Sequence, residues 1–171
     1  MNKFVIKGGR PLLGEVYVSG SKNAALPIIA ATVLVDEPVV LDNLPNISDV
    51  SVMLRSLEEM GATINRIDKN SVRIDTTSLR NRSVSYEMAT KIRGSYYFIG
   101  SLLGQYGEAF CAQPGGCTFC DRPMEQHIKA FEVLGAECSF EEGFYTIKSD
   151  NLTGNRIEFD KITVGGTINT I

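Results

Sequence analysis

The stretch Pro114-Gly115-Gly116-Cys117-Thr118-Phe119-Cys120-Asp121-Arg122-Pro123 holds the residue types best suited to chemistry. It sets a thiol at Cys117 close in sequence to the fixed positive charge of Arg122. A cation near a thiol stabilises the thiolate and lowers its pKa. Two glycines and two flanking prolines exclude a helix or a central strand, so a surface loop is expected. A loop with an activated thiol and a guanidinium is suited to close over an anionic substrate. Cys117 and Cys120 also form a C-x-x-C, a spacing shared by thioredoxin-like redox sites and by zinc sites. Zinc needs two further ligands, and Cys111, Cys138 and His127 supply no second paired motif. A redox dithiol usually opens a helix after a strand, not a Gly-Gly to Arg-Pro loop. Both readings rank below the lid, and a free cysteine packed as a small hydrophobe is the plain alternative.

A second candidate is Ser19-Gly20-Ser21-Lys22-Asn23-Ala24-Ala25-Leu26-Pro27. From Ala24 to Leu34 the run forms a helix and is almost wholly apolar, so burial on all sides is expected. Proline is tolerated only in the first helical turn, so Pro27 sets the start near Asn23. Lys22 and Asn23 then stand where free N–H groups and the helix dipole favour an anion. A surface lysine beside an ordinary N-cap is the equal alternative.

Composition narrows the classes. The net charge is −3 over 171 residues with mixed signs throughout, so there is no basic field for nucleic acid. The longest apolar run, Ala24 to Val35, is too short to span a bilayer. Met1 to Lys7 lacks the apolar core of a signal peptide. Four cysteines without secretory signals point to the reducing cytoplasm and free thiols.

The chain repeats itself. Strands are expected at Phe4 to Ile6 and Glu15 to Val18, then, after the apolar helix, at Val39 to Leu41. Asp49 is placed to cap a helix running to Met60, closed by Gly61. A hairpin pairs Thr63 to Ile67 with Ser71 to Ile74. Leu57-Glu58-Glu59-Met60-Gly61-Ala62 then reappears as Phe131-Glu132-Val133-Leu134-Gly135-Ala136, followed by strands Glu137 to Phe140 and Phe144 to Ile147. The buried helix reappears as Gly94 to Leu103, and a third copy starts at Ile162 to Thr167. Lys22, Arg93 and Val164 are evenly spaced, about 71 positions apart, which marks a long internal repeat. Three like units around a pseudo-threefold axis would aim three helix starts at one end. Lys22, Arg93 and Arg122 would meet there around a ligand with several negative groups. The third unit stops at Ile171, in the middle of its expected helix, so the chain is expected to be incomplete.

The Lys22-Asn23 motif, together with Pro114-Gly115-Gly116-Cys117 and Arg122-Pro123, resembles the enolpyruvyl transferases, in the branch that acts on UDP-N-acetylglucosamine. The resemblance covers the whole chain but about two fifths of the family's length. It implies an α/β (α+β) fold, the two-domain inside-out barrel with helices inside and sheets outside. Residues 1–20 would belong to the second domain. Residues 21–171 would form an incomplete first domain of two full repeats and the start of a third. The implied reaction moves enolpyruvate from phosphoenolpyruvate to the 3-hydroxyl of UDP-N-acetylglucosamine, the first committed step of peptidoglycan synthesis. No metal or cofactor is implied. Cys117 matches the general acid toward the methylene, which is also the thiol that fosfomycin alkylates. Lys22, Arg93 and Arg122 match the residues that hold phosphate and carboxylate, and Asn23 matches a contact to substrate hydroxyls. Arg122, Pro123, Met124, Glu125 and Gln126 match the uridine cradle. Lys161, Thr163, Val164 and Gly165 match the diphosphate stretch. His127 lies just beyond the cradle and is read first as a satisfied helix residue.

Two departures from the family pattern stand out. Cys120 occupies a position that is usually small, where forming a disulfide with Cys117 or resolving an oxidised form would silence the enzyme reversibly. The family's general base, an aspartate, and a further arginine lie in the second domain, outside this chain, so no turnover is expected from it alone. A truncated non-catalytic paralogue that binds UDP-N-acetylglucosamine or regulates cell-wall synthesis is the second hypothesis. A redox or zinc protein built on Cys117 and Cys120 is the third.

Overall fold

The computed structural model describes residues 3–80, 82–115 and 124–171. Two copies of one supersecondary unit make up most of it. The first runs α1 (Lys22–Ala31), β1 (Val39–Leu41), α2 (Ser48–Met60), β2 (Thr63–Arg66) and β3 (Val72–Asp75). The second is led by β4 (Ser83–Val84), α3 (Tyr86–Lys91) and a 3-10 turn at Arg93–Tyr96. It continues as α4 (Tyr97–Tyr106), β5 (Glu108–Ala112), α5 (Glu125–Val133), β6 (Glu137–Glu141) and β7 (Phe144–Lys148). Then α6 (Val164–Thr170) opens a third copy.

The sheets carry the repeat. The first has the order β1-β3-β2 and the second β4-β5-β7-β6, so β5-β7-β6 reproduces the first sheet strand for strand. Pairing is antiparallel except between β4 and β5. Both outer helices stop in the same way. Gly61 takes φ +107° and Gly135 φ +95°, a left-handed bend that only glycine adopts without strain. Ala62 N donates to Leu57 O at 2.9 Å, and Ala136 N donates to Phe131 O at 2.9 Å, closing the same Schellman cap. The repeated Gly-Ala of the sequence is this cap.

The α2 stripe of Val50, Met53, Leu54, Leu57 and Met60 is buried, as its helical spacing requires. It packs under the same core as Ile29 and Val33 of the first copy and Phe98, Ile99 and Leu102 of the second.

Contacts between the inner helices fix their direction. A Cβ on Gly94 would meet Leu26, and one on Gly104 would meet Leu34. A Cβ on Gly165 would meet the Tyr96 hydroxyl, and one on Gly100 would meet Asn169. Residue numbers rise together in each pair of contacts, so α1, α4 and α6 run parallel with their starts at one end. Parallel inner helices are what the repeat predicts, and they agree with the inside-out α/β fold that the resemblance implies.

Several expectations need correction. Phe4 to Ile6 and Glu15 to Val18 form no strands; Phe4 is 99 % and Tyr17 95 % exposed. No described strand lies beside them, and a lone strand gains no ladder hydrogen bonds or core to order it. Ile47, not Asp49, is the N-cap of α2, and Asp49 sits in its first turn. The helix at α1 is not buried on all sides. Ala25, Leu26, Ile29 and Ala30 face the core, while Ile28 stays 48 % exposed. The uncovered face lines an apolar cleft of about 730 Å³ shared with α4 and α6, bounded by Pro27, Leu34, Leu103, Phe131 and Ile168. The second inner helix starts as the 3-10 turn rather than as one regular helix from Gly94. Strands β4 and β5 and helix α3, of two, five and six residues, are too short to show a period in the sequence. Among the described residues no helix is long and apolar enough to cross a membrane.

Candidate functional site at the shared end of three helices

The parallel packing brings the starts of α1, α4 and α6 together. Lys22 and Asn23 are the first two residues of α1. Ser21, their N-cap, makes no side-chain cap, so it leaves first-turn amides unspent. The Lys22 ammonium lies 2.9 Å from Asp49 Oδ2 in the first turn of α2. Asn23 borders the cleft.

Arg93 opens the 3-10 turn, its guanidinium carbon 5.8 Å from the Tyr96 ring centre. Tyr96 also lies 4.5 Å, centre to centre, from the His127 ring. Met124, buried, caps α5, and its carbonyl accepts from His127 N at 2.9 Å and Ile128 N at 3.0 Å. Glu125 stands in that first turn.

Gln126 ties this turn to the segment ahead of α6. Its Oε1 accepts from Asp160 N at 2.9 Å, and its Nε2 donates to Asp160 Oδ2 at 3.3 Å. Lys129 Nζ pairs with Asp160 Oδ1 at 2.6 Å. These donors hold the Asp160 carboxyl below the usual aspartate range. Lys161 follows, exposed, and Thr163 caps α6 by accepting from Gly166 N at 3.0 Å. Val164 is exposed. Gly165 lies under the Tyr96 hydroxyl, where any side chain would overlap it.

His127 lies in the first turn of α5. It is buried, its Nδ1 lies 3.1 Å from Asn169 Nδ2, and its pKa is pushed down to about 4. Burial is the main cause and the nearby Arg93 charge adds to it. Cys111 and Cys138 are inert by the same logic: burial raises the first thiol to about 12 and the second to about 11.

The structure therefore gathers Arg93, Met124, Glu125, Gln126, His127, Lys161, Thr163, Val164 and Gly165 around adjoining helix starts. It sets Lys22 and Asn23 at the same end of the inner helices. Cys117, Cys120, Arg122 and Pro123 lie outside the described residues. Sequence reasoning missed Tyr96, Asp160 and Asn169, and read Asp49 only as a helix cap. Of these only Asn169 carried a signal, as the lone amide in the expected third inner helix.

This layered α/β unit with parallel inner helices shares its fold with enolpyruvyl transferases of known structure. The family model for EPSP synthase (3-phosphoshikimate 1-carboxyvinyltransferase) matches residues 6–171, and the chain belongs to that family. A UDP-N-acetylglucosamine 1-carboxyvinyltransferase 3 from Caldanaerobacter subterraneus subsp. tengcongensis is 45% identical over 169 residues, covering 99% of this chain and 40% of that protein. A UDP-N-acetylglucosamine 1-carboxyvinyltransferase from Acinetobacter baylyi is 43% identical over 172 residues, covering 100% of this chain and 41% of its own length. The chain thus spans about two fifths of these curated relatives. Among solved structures, the enolpyruvyl transferase NikO from Streptomyces tendae superposes with a TM-score of 0.71 at 22% identity, over 85% of this chain and 32% of that one. EPSP synthase from Acinetobacter baumannii gives 0.70 at 18% identity, over 92% of this chain and 37% of its own. At these identities the two structures speak to the fold alone.

Proposed function

We propose that this chain is the N-terminal part of an enzyme that transfers enolpyruvate from phosphoenolpyruvate to the 3-hydroxyl of UDP-N-acetylglucosamine, in the cytoplasm, for peptidoglycan synthesis. One observation carries the reading: the parallel inner helices set Lys22, Asn23, Arg93 and the segment 161–165 at one end. The names of the 43–45% identical relatives supply UDP-N-acetylglucosamine as acceptor and the carboxyvinyl group as the group moved.

In this reading, Lys22, Arg93 and Arg122 hold the phosphate and carboxylate of phosphoenolpyruvate. Asn23 contacts the sugar hydroxyls. Pro123, Met124, Glu125 and Gln126 cradle the uridine, and Lys161, Thr163, Val164 and Gly165 take the diphosphate. Cys117 donates a proton to the methylene as the 3-hydroxyl oxygen bonds to C2 and loses its proton to a base. The phospho-ketal then loses phosphate, and the Cys117 thiolate takes back a methyl proton, which restores the double bond. The fixed cations keep their charge throughout, so they position the anions and stabilise developing charge rather than react.

The base comes from the part of the relatives beyond this chain. Residues 1–20 are proposed to pack on that part, which accounts for their exposed apolar side chains.

The test is phosphate release from both substrates. The chain alone is expected to release none, and the chain supplied with the remaining part of a relative is expected to turn over. Calorimetry separates the alternatives. Binding of UDP-N-acetylglucosamine without complementation leaves the non-catalytic binder. Absence of both rejects the reading.

A further inference from the structure

Asn169 is a buried amide with every hydrogen-bonding group used. Its Oδ1 accepts from Gly100 N at 3.2 Å. Its Nδ2 donates to Tyr96 O at 3.1 Å and faces His127 Nδ1 at 3.1 Å. The two backbone partners fix which end of the amide is which, because an N–H can only donate and a carbonyl can only accept. A flipped amide would set oxygen against the Tyr96 carbonyl and NH2 against the Gly100 amide. Nδ2 therefore points a hydrogen at His127 Nδ1, which must accept it. The imidazole proton is then on Nε2. Among the described residues Nε2 has no hydrogen-bond partner.

Three other contacts hold the arrangement. Gly100 has no Cβ, which lets α6 approach α4 closely enough for the amide to reach. The His127 ring leans on Tyr96. Arg93 is the charged group that acts on the ring, and it opposes a second proton, as burial does.

We propose that Asn169 is a positioning residue that fixes His127 as a neutral Nε2–H donor beside Arg93, for the phosphorylated sugar nucleotide. The donor role rests on the proposed function; the tautomer does not. A neutral donor suits this place. Arg93 already supplies charge, and an imidazolium beside it would repel it. An imidazole held from behind needs no reorientation when ligand arrives.

His127 is the chain's only histidine, so its imidazole nitrogens can be assigned without ambiguity in a 15N-labelled sample. The expected spectrum of the free chain at pH 7 shows a protonated Nε2 and a bare Nδ1. In Asn169→Asp a carboxylate oxygen faces Nδ1, so the proton should move to Nδ1 and the pKa should rise to or above the ordinary 6.5. A bare Nε2 in the wild type overturns the proposal without any variant. An unchanged tautomer in folded Asn169→Asp also overturns it. UDP-N-acetylglucosamine is then titrated in. The Nε2–H signal should shift, and His127→Phe should bind about tenfold more weakly. Nucleotide binding with a still Nε2–H signal and no loss in His127→Phe overturns the donor role. No nucleotide binding at all removes the donor role, the proposed function falls only if complemented turnover is absent too, and the tautomer is read independently of both.

Discussion

The Lys22 ammonium and the Asp49 carboxylate meet at 2.9 Å, joining the first residue of α1 to the first turn of α2. Both side chains are partly open to water, so the pair contributes little to folding; exposed pairs are worth about 0–1 kcal/mol. A phosphate bound at the α1 start would compete with Asp49 for the ammonium. Lys22→Ala is therefore expected to cost under about 1 kcal/mol in urea unfolding. The same change should weaken phosphoenolpyruvate or phosphate binding about tenfold or more, through loss of a charge-assisted contact. Equal losses in stability and binding would mean that Lys22 is merely structural.

A buried neutral histidine gives a definite pH dependence. His127 holds its proton less tightly folded, near 4, than the ordinary 6.5. Between those values the unfolded chain binds more protons, so acid favours unfolding. The stability gained by keeping the ring neutral is complete above pH 6.5. It falls as the pH drops from 6.5 toward 4, by roughly 3 kcal/mol at most. Unfolding midpoints of the wild type and His127→Phe are the check, with a flatter profile expected for the variant in that window. Parallel profiles would show that His127 does not titrate as described.

Close approach of α4 and α6 depends on Gly100. An added Cβ would overlap the Asn169 carbonyl, which is backbone and cannot swing away. Alanine favours a helix interior over glycine by about 1 kcal/mol, so propensity alone predicts stabilisation. Overlap should win, with a net cost of about 2–3 kcal/mol. Gly154→Ala is the control, since nothing lies within 4 Å of its added Cβ. Amide exchange in residues 164–170 should quicken in Gly100→Ala and stay unchanged in Gly154→Ala.

The repeated cap shows why part of this fold was legible. Gly61-Ala62 and Gly135-Ala136 are local signals, since a left-handed glycine and its following N–H are set by neighbours in sequence. The even spacing of Lys22, Arg93 and Val164 carried the rest of the architecture. Tyr96 and Asn169 depend on helices that meet only in three dimensions, and no spacing rule joins residues 96, 127 and 169. Asp49 was read as a cap because an aspartate near a helix start usually is one. Two residues of register placed it in the first turn instead, facing Lys22. The N-terminal strands failed for the opposite reason: their alternation is genuine, but alternation does not make a strand without a neighbouring edge.

The four cysteines should separate by reactivity. Cys111 is fully buried in β5 with its thiol raised to about 12, and Cys138 is raised to about 11. At pH 8 such thiols are ionised in roughly one molecule in a thousand or fewer, and the thiolate is the nucleophile. Cys117 is proposed to be activated by Arg122, and Cys120 lies three positions on. Iodoacetamide on the native chain should therefore label Cys117 first and Cys120 next. Cys111 and Cys138 should react only after unfolding. Arg122→Ala should slow Cys117 labelling several-fold at pH 7 and less at pH 9, where the thiol ionises without help. Peptide mapping by mass spectrometry reads all four sites at once. Labelling of Cys111 or Cys138 at the rate of Cys117 would contradict the burial that raises their thiols. A Cys117 rate indifferent to Arg122 would remove the cation from the proposed activation.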